Sequence, residues 1–198
     1  MAREKQKSIF EKLLDKSKSE KIVAGKKSRE WFRTEAKKVN SVNTTSFMNS
    51  IANKSVTVPK IGQMFIFSYD AKTKDVLPYF DRLPCIFIVE MYKDGFLGIN
   101  LHYLPHVLRA KLMDALYNLT NRKALTETTK LRISYNILRQ FALSPLINFC
   151  TKRYLYSHIK SKIHRIEPLE WEMALFLPLE RFTVNKNRVF KDALKRTL

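Results

Sequence analysis

The order of apolar and polar positions divides the chain into three stretches. Between residues 61 and 184, apolar residues are frequent and follow the periods of regular structure. The stretch before it and the short stretch after it are polar and basic, with few apolar positions. We therefore predict a basic helical arm and polar linker over 1–60, an α+β core domain over 61–184, and a basic tail over 185–198.

Three short strands are predicted at the start of the core. IGQMFIFSYD (61–70) alternates in polarity and is rich in aromatic and β-branched residues, and PCIFIVEMY (84–92) is an apolar run of strand length. The turn signal Lys93-Asp94-Gly95 leads into the third strand, GFLGINLHY (95–103). Short strands joined by tight turns predict a small antiparallel, SH3-like β-barrel or sheet with helices packed on it.

Helical spacing marks the arm and the region after the strands. In the arm, two amphipathic helices are predicted around Leu13 and Phe32, separated by Gly25, with too little apolar surface to fold alone. Pro105 suits the first turn of a helix whose apolar face extends to Leu119.

The second half of the core is less clearly patterned. LRISYNILRQFAL (131–143) fits a strand as well as a helix, and both alternatives stay open. Ser144-Pro145 predicts the start of a further helix that reaches Tyr154, and KIHRI (162–166) indicates a strand. The apolar run WEMALFLPLERF (171–182) is expected to close the core.

The net charge of the chain indicates that the protein binds an acidic partner. The 198 residues carry 37 Lys and Arg against 18 Asp and Glu, a net charge of +19. The excess is uneven, because residues 1–60 are +9, residues 61–100 are −1 and residues 101–198 are +11. Nucleic acid, an anionic membrane or an acidic protein would match the two basic blocks.

One basic stretch is interleaved with aromatic residues. The 39 residues between Glu127 and Glu167 contain eight Lys or Arg and no carboxylate. Basic side chains neutralise phosphates, and aromatic rings stack on unpaired bases, so we predict a polyanion-binding surface that reads backbone and shape. A solvated helix face is the alternative. The candidate DNA-binding residues are Lys152, Arg153, Tyr156, Lys160, Lys162 and Arg165, with Arg109 and Lys111 added from the helix after Pro105.

Catalytic and metal chemistry find little support in the sequence. His102 and His106 have the spacing of two zinc ligands, but no third ligand is evident, and we predict no metal and no cofactor. Asp70 and Lys72 resemble part of a metal-dependent nuclease site that lacks a second carboxylate on a preceding element. We therefore expect a protein that is not an enzyme.

No apolar run is long enough to cross a membrane.

Residues 62–117 contain a longer motif that resembles a known family. The motif has a strand ending in Y-D-x-K, then L-P-Y-x-D-x-x-P, then G-F-L-G-x-N-x-H-Y-L-P and a following Arg. It is similar to the DNA end-protector proteins of T-even-like tailed phages and their marine relatives, and the similarity extends over residues 61–184. The matching positions are Tyr69-Asp70, Lys72, Leu77-Pro78-Tyr79, Asp81, Pro84, Gly95-Phe96-Leu97-Gly98, Asn100, His102-Tyr103-Leu104-Pro105 and Arg109.

The resemblance implies a minor virion protein at or near the phage neck. Such a protein holds the end of the packaged duplex genome, enters the host cytoplasm with it and blocks the host exonuclease, which requires binding but no catalysis. The resemblance implies no particular DNA-binding residue, because the shared motif consists mostly of apolar residues and turn residues. The alternative is a structural neck or tail component whose basic arms bind portal, neck or tail neighbours, with homo-oligomers expected.

Overall fold

The protein is an α+β structure built on one antiparallel sheet. The computed structural model describes residues 9–20, 26–120, 126–143 and 148–197. The helices in these residues are α1 (Ile9–Ser19), α2 (Lys26–Lys37), α3 (Thr44–Ser50), α4 (His106–Thr120), α5 (Glu127–Leu143), α6 (Trp171–Phe176) and α7 (Lys186–Thr197). The strands are β1 (Ser55–Val56), β2 (Met64–Ile66), β3 (Cys85–Tyr92), β4 (Gly95–Asn100), β5 (Thr151–Leu155) and β6 (Ile163–Ile166).

The sheet is open, and the predicted SH3-like barrel is not confirmed. Its strand order is β1-β6-β2-β3-β4-β5, with every pair antiparallel. The chain crosses from β5 at one edge to β6 near the other through residues 156–162, which meet the extension of β2 in a single bridge between Tyr69 and Ile159. The sheet does not close, because β1 and β5 remain its edges.

The β3–β4 hairpin forms at Lys93-Asp94, as the turn signal predicts. Gly95 follows the turn and pairs with Leu155 on β5. A Cβ at Gly95 would lie 1.9 Å from the carbonyl oxygen of Tyr154, so the close approach of β4 and β5 requires glycine at this position.

Two apolar clusters lie on opposite faces of the sheet. The larger cluster, which includes Met64, Phe87 and Ile99, packs under the helices. The smaller one is aromatic and lies on the other, enclosed face, against which Ile159 of the crossing segment packs, and there Phe67 meets Tyr154 edge-to-face at a centroid distance of 5.4 Å. In the described residues, no helix has the length and apolar character that a membrane span requires.

The N-terminal helices pack on this core through both apolar and ionic contacts. Phe32 and Ala36 of α2 are buried in the larger cluster, together with Leu13 of α1. Arg33 donates two hydrogen bonds to the carboxylate of Glu172 on α6, at 2.7 and 2.8 Å. Part of the basic charge of the arm is therefore neutralised inside the molecule. Gly25, the predicted break between the helices, lies outside the described residues.

Residues 40–60, which were expected to be a polar linker, form regular structure. Asn43 caps α3 by accepting a hydrogen bond from the backbone N–H of Ser46 at 2.9 Å. Phe47 and Ile51, four residues apart, are almost fully buried. Two apolar residues on one helix face and a side-chain cap are enough to fix this segment against the sheet. The domain boundaries near residues 60 and 184 stay a prediction.

The second half of the core corrects one prediction and resolves another. Residues 131–143 lie in a helix, α5, and KIHRI contains β6. The helix expected to reach Tyr154 is wrong, because β5 begins at Thr151 and Tyr154 points into the smaller cluster. Ser144-Pro145, its predicted start, lies outside the described residues. The C-terminal tail is also ordered, since Val189 and Ala193 of α7 are buried.

A buried carboxylate joins the strands to the C-terminal segment. Asp81 is 3% exposed, and its Oδ1 accepts the backbone N–H groups of Leu83 at 3.0 Å and Arg181 at 3.2 Å. Its Oδ2 accepts from Asn100 Nδ2 at 3.1 Å and from His102 Nδ1 at 2.7 Å. A buried charge that is this fully paired is costly to disturb.

The pKa of Asp81 reflects this environment. Burial alone would raise the pKa, but the charge and hydrogen bond of His102 and the donors of Leu83 and Asn100 hold it below its usual value of 3.8. The Asn100 amide also donates to the hydroxyl of Tyr154 at 3.2 Å, which extends the network to β5.

We expect Asp81→Ala to lower the free energy of unfolding by about 3 kcal/mol, because four donors, three of them buried, lose their acceptor. Urea denaturation followed by circular dichroism measures the change. Asp75→Ala, which removes an exposed carboxylate from the neighbouring loop, is the matched control and should change stability by less than about 0.5 kcal/mol.

The lowered pKa predicts a pH dependence of definite sign. Asp81 stabilises the folded state above its usual pKa of 3.8, and this contribution is lost as the pH falls through the lower pKa of the folded state. Between about pH 4 and pH 2, the wild-type protein should therefore lose stability more steeply than Asp81→Asn. Equal slopes for the two proteins would contradict this assignment.

Candidate nucleic-acid interface

Strand β5 and the segment that follows it carry most of the predicted binding residues. Lys152 and Tyr154 alternate with Arg153 along β5, so the lysine points toward the enclosed face and Arg153 toward the other. The next residues cross the sheet beside the extension of β2, where Lys160 N–H donates to Ser68 O at 2.8 Å. These predicted residues thus lie on strands and on a connecting segment that begins with a short 3-10 turn, rather than on an α-helix.

The first of two neighbouring clefts, the aromatic cleft, has a volume of about 300 Å³. The Lys152 ammonium lies 4.8 Å from the centre of the Tyr103 ring, and this cation–π contact holds it at the wall. Aromatic rings with basic groups beside them suit a stacked base next to a phosphate. Its walls include Tyr69, Tyr79, Phe80, Tyr103 and Tyr154, and its basic residues are Lys72, Lys152 and Arg153.

The second cleft, the basic cleft, has a volume of about 330 Å³ and also borders Tyr69. Its cationic residues are Lys160, Arg82 and Arg181, and Thr44 contributes a hydroxyl group. No Asp or Glu is among its lining residues in the part of the chain that the structure describes. Clefts lined by one sign of charge focus the electrostatic field on a ligand of the opposite sign.

Two of the predicted cations are already paired with carboxylates. Arg153 forms an ion pair with Asp94 of the β3–β4 turn and stacks on the Tyr92 ring, with the guanidinium carbon 3.7 Å from the ring centre. Arg165 pairs with Glu167. The absence of carboxylates from the sequence stretch therefore does not leave Arg153 and Arg165 unpaired, because Asp94 and Glu167, which lie outside the stretch, are their partners.

Tyr156 and Lys162 lie on the surface. The Tyr156 ring is 38% exposed and packs edge-to-face on Phe96 at 5.6 Å, so one part of the ring remains accessible for stacking. Lys162 is exposed just before β6.

Arg109 and Lys111 lie away from these clefts, and Arg109 requires a correction. Arg109 is 0% exposed and pairs with Glu180, with Nη2 2.6 Å from Oε1. Its other donors bind the carbonyl oxygens of Leu104 at 2.7 Å and Leu175 at 2.6 Å. A buried guanidinium with these partners holds α4 to the core and does not contact DNA. Lys111 is exposed on α4, on the helical side of the sheet.

The structure adds basic residues that the sequence pattern missed. Lys72 and Arg82 flank the loop after β2, and Arg181 follows α6, far along the chain from Lys160. Their nearness depends on the bridge from Tyr69 to Ile159 and on the bond from Arg181 N–H to Asp81. Lys72 belongs to the Y-D-x-K motif, and Arg82 directly follows the L-P-Y-x-D motif. These two motifs are the sequence signal that could have pointed to them.

Metal-ligating side chains do not cluster in the described residues, and the two cysteines are buried. No set of three His, Cys, Asp or Glu side chains could hold a metal ion there. Lys74 pairs with Asp70 at 3.0 Å and lowers the pKa of this carboxyl group. Burial raises the pKa of the Cys150 thiol to about 12, and it also raises the pKa of the buried Cys85 thiol.

The fold and the two clefts define a basic α+β protein with a surface suited to polyanions. A family model places it more narrowly, since the model of the phage T4 terminal DNA protecting protein matches residues 5–195 of the 198. The chain belongs to this family of phage proteins, which confirms the resemblance drawn from the sequence motif. No curated protein and no solved structure matches the chain.

The lysines of the clefts should dominate the salt dependence of DNA binding. If about six phosphates are neutralised, the log–log slope of affinity against salt is about −5, and Lys160→Ala should reduce its magnitude by about one. Lys111→Ala, an equal charge change on the helical side, should leave the slope unchanged. Fluorescence anisotropy with a short duplex measures the slopes, and a salt-independent affinity would contradict the interface.

Proposed function

We propose that this protein binds the ends of linear duplex DNA and, without catalysis, shields them from exonuclease. The observation that carries the proposal is the match to a terminal DNA protecting family over nearly the whole chain. The basic and aromatic clefts support it, because they offer phosphate-binding cations beside rings that can stack on exposed bases.

The proposed binding is independent of sequence. Lysine and arginine side chains contact phosphates, which are the same at every DNA end, and they position a protein without reading bases. A protector must act on genome ends of any sequence. The clefts therefore fit a function in which the shape of the end, rather than its bases, is recognised.

The proposal includes a place in the infection cycle. A protector has to be on the DNA end before host exonucleases reach it, so the protein is expected in the virion and then in the host cytoplasm with the genome. Contacts with neck, portal or tail proteins and formation of homo-oligomers remain predictions. No observation on the described residues favours the purely structural alternative over end protection.

Exonuclease protection tests the function directly. Linear blunt-ended duplex is mixed with the protein at about physiological salt, where the Debye length is roughly 8 Å, and challenged with a processive exonuclease. An equal mass of closed circular duplex is present as a competitor. We expect protection to survive the competitor, since the circle offers phosphates but no end. Protection that the circle removes would contradict end recognition.

Matched variants assign the protection to the clefts. Lys72→Ala, Lys152→Ala and Lys160→Ala combined remove three cleft charges, and we expect at least about tenfold more protein to be needed for equal protection. The control combines Lys12→Ala, Lys111→Ala and Arg139→Ala, three exposed cations of the helical side. Equal losses in the two variants would indicate general charge rather than the clefts.

A further inference from the structure

We propose that the basic cleft binds the terminal 5′-phosphate of a DNA strand, so that the protein recognises a phosphate monoester that internal duplex lacks. The inference rests on the proposed function and deepens it by naming the chemical group that distinguishes an end. Its basis is the convergence of Arg82, Lys160 and Arg181 around one cleft of about 330 Å³.

Arg181 supplies a fixed positive charge at the wall of the cleft. Its guanidinium donates to the carbonyl oxygens of Val42 at 2.6 Å, and of Pro178 and Glu180 at 2.9 Å each. None of these acceptors carries a charge, so the guanidinium is held in place without being neutralised. A preorganised cation of this kind loses no side-chain entropy when an anion binds.

Arg82 and Lys160 supply the movable charges at the rim. Both side chains are exposed, and neither makes a hydrogen bond or an ion pair with another described residue. The pKa of Asp70 is lowered chiefly by its hydrogen bond with Lys74, at 3.0 Å, and to a smaller extent by the charge of Lys160, so the carboxylate of Asp70 is paired with Lys74. These two cations are therefore available to an incoming anion, in contrast to the paired Arg153.

Thr44 contributes a neutral donor at the same place. Its Oγ1 accepts a hydrogen bond from Arg181 Nε at 2.9 Å, which leaves the hydrogen of the hydroxyl group free to donate. Arg181 thus orients the hydroxyl group as well as supplying charge. One hydroxyl donor and three cations together suit the oxygen atoms of a phosphate group, which accept charge-assisted hydrogen bonds.

The charge of the ligand favours an end over the middle of a duplex. A phosphate monoester carries about −1.5 to −2 near neutral pH because its second pKa is about 6, whereas an internal phosphodiester carries one negative charge. Three cations without a lining carboxylate match the dianion better than the monoanion. A monoester also has three unbridged oxygens for the available donors.

Paired duplexes that differ only at the 5′ end test the inference. Two linear duplexes of one sequence, with 5′-phosphate or 5′-hydroxyl ends, are titrated with the full-length protein by anisotropy and then used in the exonuclease assay. We expect the wild-type protein to bind the phosphorylated duplex at least about tenfold more tightly, as charge-assisted hydrogen bonds of about 1.5 kcal/mol or more imply.

The cleft variant is Arg82→Ala with Lys160→Ala, and its control is Arg139→Ala with Lys162→Ala. Both remove one arginine and one lysine from exposed positions, and Lys162 is only two residues from Lys160 but does not line the cleft. In the cleft variant we expect the ratio of the two affinities to fall to about one. In the control, both affinities fall and their ratio stays at the wild-type value.

The outcomes separate this inference from the proposed function. Equal binding and equal protection of the two duplexes by the wild-type protein would overturn the phosphate site while end protection stands. Failure to protect either duplex would overturn both. Equal loss of the ratio in the cleft and control variants would also reject the cleft as the site. Thermal melting confirms that each variant is folded, which is expected because all four side chains are exposed.

Discussion

The buried carboxylate of Asp81 is the interaction on which both the core and the candidate interface depend. It ties the start of β3 to the end of β4 through Leu83 and Asn100, and it accepts the backbone N–H of Arg181. Asp81 also borders the aromatic cleft, and its neighbour Arg82 borders the basic cleft. The group that closes the polar network inside the protein therefore positions the cations on its surface.

Only part of the positive charge of the chain is available to bind a partner. Some arginines pair with carboxylates inside the protein, such as Arg109 with Glu180 and Arg33 with Glu172. Others are held in surface pairs. Among the remaining lysines and arginines, a small set gathers around two clefts, and position rather than number makes this set suitable for binding DNA.

The sequence predicts local structure here better than the positions of distant residues. The Asp-Gly turn and the helix after Pro105 are confirmed because their signals lie within a few residues. The helix expected to reach Tyr154 is wrong, since Phe149, Arg153 and Tyr154 also fit helical spacing until the pairing of β5 with β4 is known. Long-range contacts decided the rest, since Arg109 is withdrawn into the core by a carboxylate 71 residues away and Arg181 reaches Lys160 only through the fold.

Tyr69 borders both clefts and is fixed at two points. Its hydroxyl oxygen accepts the backbone N–H of Leu155 at 3.3 Å, and its ring packs on Tyr154 at 4.9 Å. One ring therefore serves as a shared wall, and a ligand that shifts it in one cleft alters the shape of the other. Thermodynamic linkage then requires the effect to be mutual, so that occupancy of each cleft changes the affinity of its neighbour by the same factor.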